Sequence, residues 1–547
     1  MTRSKIQDQL PPSAIEVHET SDADADYNEK SGNEYDQRGM VRMGKRQELR
    51  REFQFFSIFG FAVILGCSWE YVFINGVLSL PNGGTAGSVW MFLITCFGMF
   101  FVVLSMAEMA SMAPTAGGQY HWCSEFAPAS LQKFLSYTVG YLCVLGWHAS
   151  LAGTCYAAGQ QVQAIMVLAN PQFAIQTWET ALLAIAVVVV AVGFNTVLYR
   201  KLPIVEGIVM IVHVFGFFAF VIVLWYGMST KNTITTVGAA DDHAIRVMAP
   251  RGDSSVLTTF TTNGWSSAGV ACLVGISAPI GDLIGADSSV HLSEELKNAA
   301  WILPRAMVAT AVMNYLLGFI TIITLVFCLG DLNNAINSAT GQPYVQVLLN
   351  ATQSTGATIA LTVVMLILLI SCAVNTATTS SRQLWSFARD GGPPFSAWLS
   401  RVRPGWDIPM NAMTVSLGVT AILSCIVIGS ATAYGVFVTL VNSGLLSSYA
   451  ICIGCILLKR IRGEPFPPSQ FSLGGAGNIV NVIALAFLSV AWVFQFFPSA
   501  PDPTGTSMNW SILIFGAVII FFTVYYAVNA RHRYTGPVVH VTRHTAE

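Results

Sequence analysis

Among the ionisable residues inside long apolar stretches of this 547-residue chain, where a charge is costly, four could act on a solute or a proton: Glu70, His213, Asp282 and Asp287. Ionisable groups at membrane depth mark a substrate or ion path by default. A carboxylate can pair with a cationic amine or take up a proton, and a histidine titrates near neutral pH. These residue types therefore indicate solute binding and proton transfer.

Each of the four also has an ordinary structural explanation. Glu70 and Asp287 follow interruptions in their apolar runs, and an acid at a helix start is favoured by the helix dipole. His213 could equally be a hydrogen-bonded core histidine, and Asp282 is expected to be structural. The sequence leaves these alternatives open.

Two apolar runs are interrupted by small or helix-breaking residues. Gly66, Cys67 and Ser68 interrupt the first run, and Pro279, Gly281 and Gly285 interrupt the sixth. Irregular backbone at bilayer depth survives only where protein or a water-filled cavity satisfies its polar groups. Corresponding breaks in the two halves of a chain indicate a binding site. Free N–H groups at half-helix starts suit a carboxylate, and unwound carbonyls suit an ammonium, so the pattern predicts a small zwitterion or amine as ligand.

The elements that must position these residues are membrane spans. Hydrophobic residues make up 54% of the chain and charged residues 10%, whereas soluble domains carry about 25% charged residues. Apolar runs of spanning length, about 20 residues, follow one another from Phe53 onward, and the third could extend to Val167. We predict twelve spans, at roughly 53–80, 88–112, 131–156, 178–198, 203–228, 260–290, 304–330, 353–386, 411–430, 434–458, 478–497 and 509–530.

The distribution of basic residues supports this count. The basic residues of the predicted outer loops are Lys231, Arg246 and Arg251 alone, whereas every predicted inner segment contains Lys or Arg. This bias predicts that both termini are cytoplasmic. Residues 1–52 are polar and mixed in charge, which predicts a disordered cytoplasmic tail, and residues 531–547 form a second short tail. The transporter domain is expected at 53–530.

Several stretches carry a family resemblance. They are Ser68-Trp69-Glu70 with Asn82-Gly83-Gly84, the long run from Ala107 to Trp122, the run from Gly285 to Asn298, and Pro304-Arg305. On these residues the chain resembles the amino acid–polyamine–organocation superfamily, and within it the fungal amino acid/choline group that includes GABA and choline permeases. The resemblance implies an all-α membrane protein with a five-plus-five inverted repeat (LeuT-like), about 53–228 and 260–458. Helices 1 and 6 would be discontinuous, and spans eleven and twelve would be additions.

The resemblance also implies roles for particular residues. Many superfamily members place an aromatic lid where this chain has Ala286, and many proton-coupled members place a Lys where His213 stands, 18 residues after Asn195. His213 is therefore the candidate for proton coupling. The candidates for substrate binding, largely through backbone groups, are Leu65, Gly66, Cys67, Ser68, Trp69, Glu70, Ile284, Gly285, Ala286 and Asp287. The candidates for gating or conformational change are Glu108, Gly117, Gly118, Glu294 and Glu295, the last two facing the cytoplasm.

We therefore expect a proton-coupled permease that imports a small amine-bearing solute across the plasma membrane, or across the vacuolar membrane. GABA or another amino acid is the first expectation, choline the second and a polyamine the third. The driving force would be the proton gradient, with no cofactor and no metal. No H-E-x-x-H or G-x-S-x-G motif supports a membrane enzyme. A non-transporting nutrient sensor on the same fold remains the alternative of another class.

Overall fold

The spans of this protein form one bundle of apolar helices. The structure is a computed structural model and describes residues 32–229, 254–402, 407–426, 428, 433–505 and 507–537. Most of the predicted outer loop 229–258, including Lys231, Arg246 and Arg251, lies outside the described residues. Ten of the described helices are long and apolar enough to cross a membrane. The helix Gln132–Ala169 and the shorter apolar helix Met410–Ile426 complete the twelve predicted positions.

The twelve spans are numbered in chain order. Spans 1 and 6 are each built from more than one helix, and the others are single helices. Their bounds are span 1, Phe55–Gly66 and Ser68–Ser79; span 2, Gly84–Met112; span 3, Gln132–Ala169; span 4, Thr177–Val197; span 5, Leu202–Ser229; span 6, Ala268–Gly275, Ser277–Leu283 and the 3₁₀ helix Ala286–Glu295; span 7, Ala299–Cys328; span 8, Thr355–Arg389; span 9, Met410–Ile426; span 10, Ala433–Ile461; span 11, Gly477–Phe494; and span 12, Ser511–Tyr525.

Shorter helices connect or flank the spans. The helix Gln119–Phe126 joins spans 2 and 3 and is called the connecting helix below. The other short helices are Glu34–Arg42, Leu332–Ile336, Pro343–Thr352, Ser396–Leu399 and Arg531–Arg533.

Spans at equivalent positions of the two halves pack against each other. Span 1 contacts span 6, span 2 contacts span 7, and span 3 contacts both span 8 and span 10. The contacts of span 1 with span 6, span 2 with span 7 and span 3 with span 8 join spans five positions apart, which is consistent with a five-plus-five arrangement. The predicted all-α membrane fold is confirmed.

Both predicted breaks are present in the backbone. Cys67 separates the two helices of span 1 and adopts a left-handed conformation, φ 45°. In span 6 the helix ends at Leu283, Ile284 is extended, and Gly285 has φ 107°. Only glycine adopts that last conformation at little cost, which explains why the second break coincides with Gly285.

The structure differs from the sequence prediction in the N-terminal region. Residues 34–42 form a helix capped by Asn33, and Asp36, Lys45 and Arg51 are buried against the bundle. The prediction of disorder is therefore wrong for residues 32–52. The reason is tertiary: the polar side chains that suggested a solvated tail find partners on distant spans. Residues 32–54 are called the N-terminal segment below.

Candidate functional site

The two breaks face each other at the centre of the bundle. A Cβ atom placed on Gly285 would lie 3.3 Å from Leu65 Cδ2, so the break of span 6 lies directly against the last turn before the break of span 1. A carbonyl of the first break is also held by a side chain, because Asn314 Nδ2 donates to Val63 O at 3.3 Å. Neighbouring spans thus support the irregular backbone.

A cavity of about 50 Å³ lies between the breaks. Its walls come from spans 1, 3, 6 and 10, and they consist of aromatic rings, hydroxyl and amide groups, and small or apolar residues. The lining side chains carry no formal charge. The lining residues are Leu65, Gly66, Tyr71, Asn75, Trp147, Ser150, Gly153, Thr154, Gly281, Ile284, Gly285, Tyr434, Phe437, Val438, Val441, Asn442 and Leu445.

The structure brings only part of the predicted binding set to this cavity. Leu65, Gly66, Ile284 and Gly285 line it. The remaining candidates, which are not among the lining residues, are Cys67, Ser68, Trp69, Glu70, Ala286 and Asp287. Residues on spans 3 and 10 were missed by the sequence reasoning. Polar or aromatic residues inside apolar runs, such as Trp147 and Asn442, were the available signal.

Glu70 follows the break of span 1, and its side chain contacts span 5 and does not line the cavity. Its Oε1 atom is 2.7 Å from His213 Nδ1, and both side chains are fully buried. The indole ring of Trp69 packs beside the imidazole with 5.8 Å between ring centroids. Glu70 Oε2 and His213 Nε2 have no hydrogen-bond partner within the described residues. The predicted amine-pairing acid and the predicted proton carrier thus form one buried acid–base pair.

A second polar chain crosses the cavity wall. Tyr434 Oη donates to Asn75 Oδ1 at 2.9 Å, and Asn75 Nδ2 donates to Asp282 Oδ1 at 2.7 Å. These three residues belong to spans 10, 1 and 6. Asn75 and Tyr434 line the cavity, whereas Asp282 is 2% exposed.

Asp287 is placed away from the cavity. Its carboxylate accepts a hydrogen bond from Tyr449 Oη at 2.5 Å and another from the amide of Gln119. Tyr449 belongs to span 10 and Gln119 to the connecting helix. Asp287 therefore ties span 6 to two neighbouring elements, which is the structural role that the sequence left open.

The predicted gating acids are buried rather than solvent-facing. Glu294 accepts two hydrogen bonds from Arg389, at 2.7 and 2.8 Å. Glu295 pairs with Arg382 at 3.0 Å and accepts from Tyr199 Oη at 2.8 Å. Both acids have 0% exposure. The expectation that they face the cytoplasm is corrected: span 8 supplies their cationic partners.

The remaining gating candidates occur at close contacts near the same end of the bundle. Glu108 pairs with Arg460 at 2.5 Å and accepts from the backbone N–H of Leu473 at 2.9 Å. Gly118 has φ 53°, and a Cβ atom there would lie 3.0 Å from Val290 Cγ1 of span 6. A Cβ atom on Gly117 would lie 2.8 Å from the ring of Tyr120. Gly118 allows the connecting helix to approach span 6 closely, whereas Gly117 leaves room for the ring of Tyr120 in the connecting helix.

The N-terminal segment closes the bundle on the side that the sequence predicts as cytoplasmic. Asp36 accepts from the N–H groups of Asn298 and Ala299, at 2.9 and 3.0 Å, and so caps the start of span 7. Phe53 pairs with the backbone around Leu296. Lys45 forms a buried ion pair with Asp390 at the end of span 8. Burial alone would raise the pKa of Asp390, but the Lys45 and Arg389 cations hold it below its usual value of 3.8.

Comparison with known sequences identifies the family. Residues 53–519 match the profile described as "Amino acid permease". The chain belongs to this family. The permease is 28% identical to Amino-acid permease 2 of Neurospora crassa, with 94% of this chain and 91% of that protein covered. It is 27% identical to the choline transporter of Saccharomyces cerevisiae, covering 90% of this chain and 83% of that protein.

A solved structure shares the fold of the permease. The manganese transporter of Eremococcus coleocola superposes with a TM-score of 0.50 at 12% identity, covering 89% of this chain and 95% of that protein. At this identity the likeness concerns the fold alone. The permease is therefore a multi-pass integral membrane transporter of the amino acid–polyamine–organocation superfamily, and this family consists of transporters rather than enzymes.

Proposed function

We propose that this permease imports a small amine-bearing solute together with protons, GABA or another amino acid in the first place. The observation that carries the proposal is the buried Glu70–His213 pair beside the break of span 1, next to a small uncharged cavity. The pair can take up a proton when it is accessible from one side and release it to the other. Proton relays in transporters are built from such Asp, Glu and His groups.

The cavity supports a small solute. Its volume of about 50 Å³ is well below the roughly 300–1,000 Å³ of pockets that hold drug-sized ligands. The walls must therefore separate to admit even an amino acid. The breaks at Cys67 and Gly285 are where the backbone can bend, so we expect solute binding to be accompanied by a rearrangement of spans 1 and 6.

Choline is the second candidate, and the aromatic lining favours it specifically. Tyr71, Trp147, Tyr434 and Phe437 all line the cavity. Aromatic faces attract quaternary ammonium groups through cation–π interactions. One of the relatives is named a choline transporter. A polyamine is the third candidate, because the small cavity suits a long dication less well.

Uptake of radiolabelled GABA and choline by transport-deficient yeast that expresses the full chain would test the proposal. Each solute should be supplied at acidic and neutral pH, with and without a protonophore. We expect GABA uptake that is stimulated by acid and sensitive to the protonophore. We also expect the protein to lie in the plasma membrane with both termini in the cytoplasm. Uptake of choline alone would favour the second candidate. Uptake of neither solute, with the protein confirmed at the cell surface, would contradict GABA and choline and favour a polyamine or an unusual metabolite as the solute, or the sensor alternative.

A further inference from the structure

Asp282 is a buried carboxylate in direct contact with the cavity wall. It lies on span 6 between the lining residues Gly281 and Ile284, and its Oδ1 atom accepts from the lining residue Asn75. Some buried acids of the bundle, among them Glu108 and Glu294, have cationic partners. Asp282, Asp287 and Glu206 are buried acids that form no ion pair within the described residues, and of these three only Asp282 bonds to a residue that lines the cavity. A cation bound in the cavity beside Asp282 would offset the cost of burying its negative charge.

The hydrogen-bond chain has a fixed direction. Asn75 turns its NH₂ group toward Asp282 and donates to Asp282 Oδ1. The Asn75 carbonyl oxygen then faces Tyr434, which must donate its hydroxyl proton. As a result the phenolic oxygen of Tyr434 can offer only lone pairs to the cavity. A protonated amine is a donor without lone pairs, and so it is the complementary ligand.

We propose that Asp282 is a specificity-determining residue that acts through Asn75 and Tyr434 and selects solutes with a protonated amine. This inference rests on the proposed function. The carboxylate orients the two neutral side chains so that Tyr434 Oη accepts from the ammonium. The negative charge of Asp282 also attracts the bound cation, and this attraction is stronger in the protein interior than in water. A solute without an N–H donor on its cation gains only the electrostatic part of this interaction. The permease should therefore prefer a primary ammonium to a quaternary one.

Asp282→Asn is the direct test, because it keeps the size of the side chain and an acceptor for Asn75. Without the fixed charge the amide chain can reverse, and Tyr434 can turn its proton into the cavity. We expect the KM for GABA uptake to rise about ten- to hundredfold, since hydrogen bonds to charged groups contribute about 1.5–3 kcal/mol and 1.4 kcal/mol is a factor of ten. The maximal rate per surface molecule should change much less. Asp282→Glu should recover part of the affinity.

Tyr434→Phe tests the same chain at its other end and should raise the KM for GABA by a similar factor. Tyr156→Phe is the matched control. The Tyr156 ring stacks on Tyr434 with 5.8 Å between centroids. Its hydroxyl, however, accepts from Gln160 and takes no part in the hydrogen bonds that join Tyr434, Asn75 and Asp282. We expect no change in KM for this variant. If Asp282→Asn fails to reach the cell surface, the comparison of the two tyrosine variants decides.

The outcomes separate this inference from the proposed function. If the wild type takes up none of the proposed solutes, which are GABA, other amino acids, choline and polyamines, the proposed function fails. If the wild type takes up GABA and both Asp282→Asn and Tyr434→Phe keep KM values within about twofold of it, the proposed function stands and the role of Asp282 is refuted. A wild type that prefers choline to GABA also refutes the preference for a primary ammonium.

Discussion

At the scale of single residues, the contact of Glu70 with His213 joins span 1 to span 5. The two residues are 143 positions apart in the chain, and both are fully buried. A change in the protonation of either one alters the attraction between the two spans. In the proposed function, this one contact links proton uptake to movement of the span 1 break.

Replacing Glu70 by Gln should therefore abolish uptake or reduce it more than about tenfold, because a hydrogen bond to a charged group contributes about 1.5–3 kcal/mol. The amide is similar in size, so the amount of protein should stay the same. Initial uptake rates normalised to surface protein would measure the effect. Glu34→Gln, on an exposed side chain of the N-terminal helix, is the control. Wild-type uptake in Glu70→Gln would remove Glu70 from the mechanism.

Replacing His213 by Ala should remove the stimulation of uptake by acid, since the imidazole is the proposed proton carrier. The ratio of uptake rates at acidic and neutral pH is the measurement. His148→Ala is a suitable comparison, because His148 is also buried, but within the described residues its ring nitrogens hydrogen-bond to Val144 O and Ser416 Oγ and to no acidic side chain. That variant should keep the acid stimulation. A His213→Ala protein with the wild-type ratio would contradict the proposal.

The residues of the site show what local sequence can reveal. Glu70, His213 and both breaks could be recognised because a charge, a glycine or a proline inside an apolar run stands out without knowledge of the fold. Asn75, Trp147 and Tyr434 could not be assigned to the cavity. Uncharged polar and aromatic residues occur at many positions of a membrane helix, and only the packing of the spans decides which of them face the centre.

At the scale of elements, spans 3 and 10 set the width of the cavity, because both contribute to its walls. They approach closely at two glycines. A Cβ atom on Gly444 would lie 3.0 Å from Leu142 O and 3.1 Å from Gly146 N. Both of these are backbone atoms, which cannot rotate away as a side chain could. Small residues at such crossings are how membrane helices pack backbone to backbone.

Gly444→Ala should force spans 3 and 10 apart and lower the free energy of unfolding by about 1–3 kcal/mol, the usual cost of overpacking. The unfolding midpoint of the purified protein in detergent would show the loss. Gly454→Ala is the matched control on the same span, because a Cβ atom there meets nothing within 4 Å. Equal midpoints for the two variants would show that the close approach is not required.

The spans themselves could be predicted at all twelve positions, since the cost of exposing backbone and polar groups to lipid gives each one a strong local signal. The N-terminal segment could not. Its polar composition is typical of disorder, and its order depends on partners such as Asp390 and Leu296, which lie far away in the chain. Local composition carries no information about such contacts.

At the scale of the whole molecule, buried ion pairs join elements at the predicted cytoplasmic face. They are Lys45–Asp390, Glu108–Arg460, Glu294–Arg389 and Glu295–Arg382. Opening the bundle on this side must separate some of these pairs. Leaving one partner of a buried pair alone is strongly unfavourable, so this network stabilises the arrangement in which the face is closed.

Asp390→Asn should lower the free energy of unfolding by up to about 3–5 kcal/mol, because it leaves Lys45 buried without its counter-ion. The pKa of Asp390 lies below its usual value of 3.8. A carboxylate with a lowered pKa contributes stability that is present above its unfolded pKa and is lost only as the pH falls through the lower folded value. Burial lowers the pKa of Lys45 and Asp390 counteracts this, so loss of Asp390 makes protonated Lys45 still less favourable. The difference in unfolding midpoint between wild type and variant should therefore not shrink as the pH falls from 8 to 5.

The pH dependence of uptake provides a second readout for Asp390→Asn. The variant should keep the ratio of uptake at acidic and neutral pH, in contrast to His213→Ala. A difference in unfolding midpoint that shrinks steadily from pH 8 to pH 5, or a loss of acid stimulation, would show that this ion pair and not the Glu70–His213 pair responds to protons.

The backbone bridge between Phe53 and Leu296 joins the N-terminal segment to the chain between spans 6 and 7. Asp36 accepts a hydrogen bond at the start of span 7. Phe53, which bridges to Leu296, comes just before the first helix of span 1. A force on residue 32 would therefore reach the junction of spans 6 and 7 through these contacts. A force on this segment would thus act on spans 1 and 7 together.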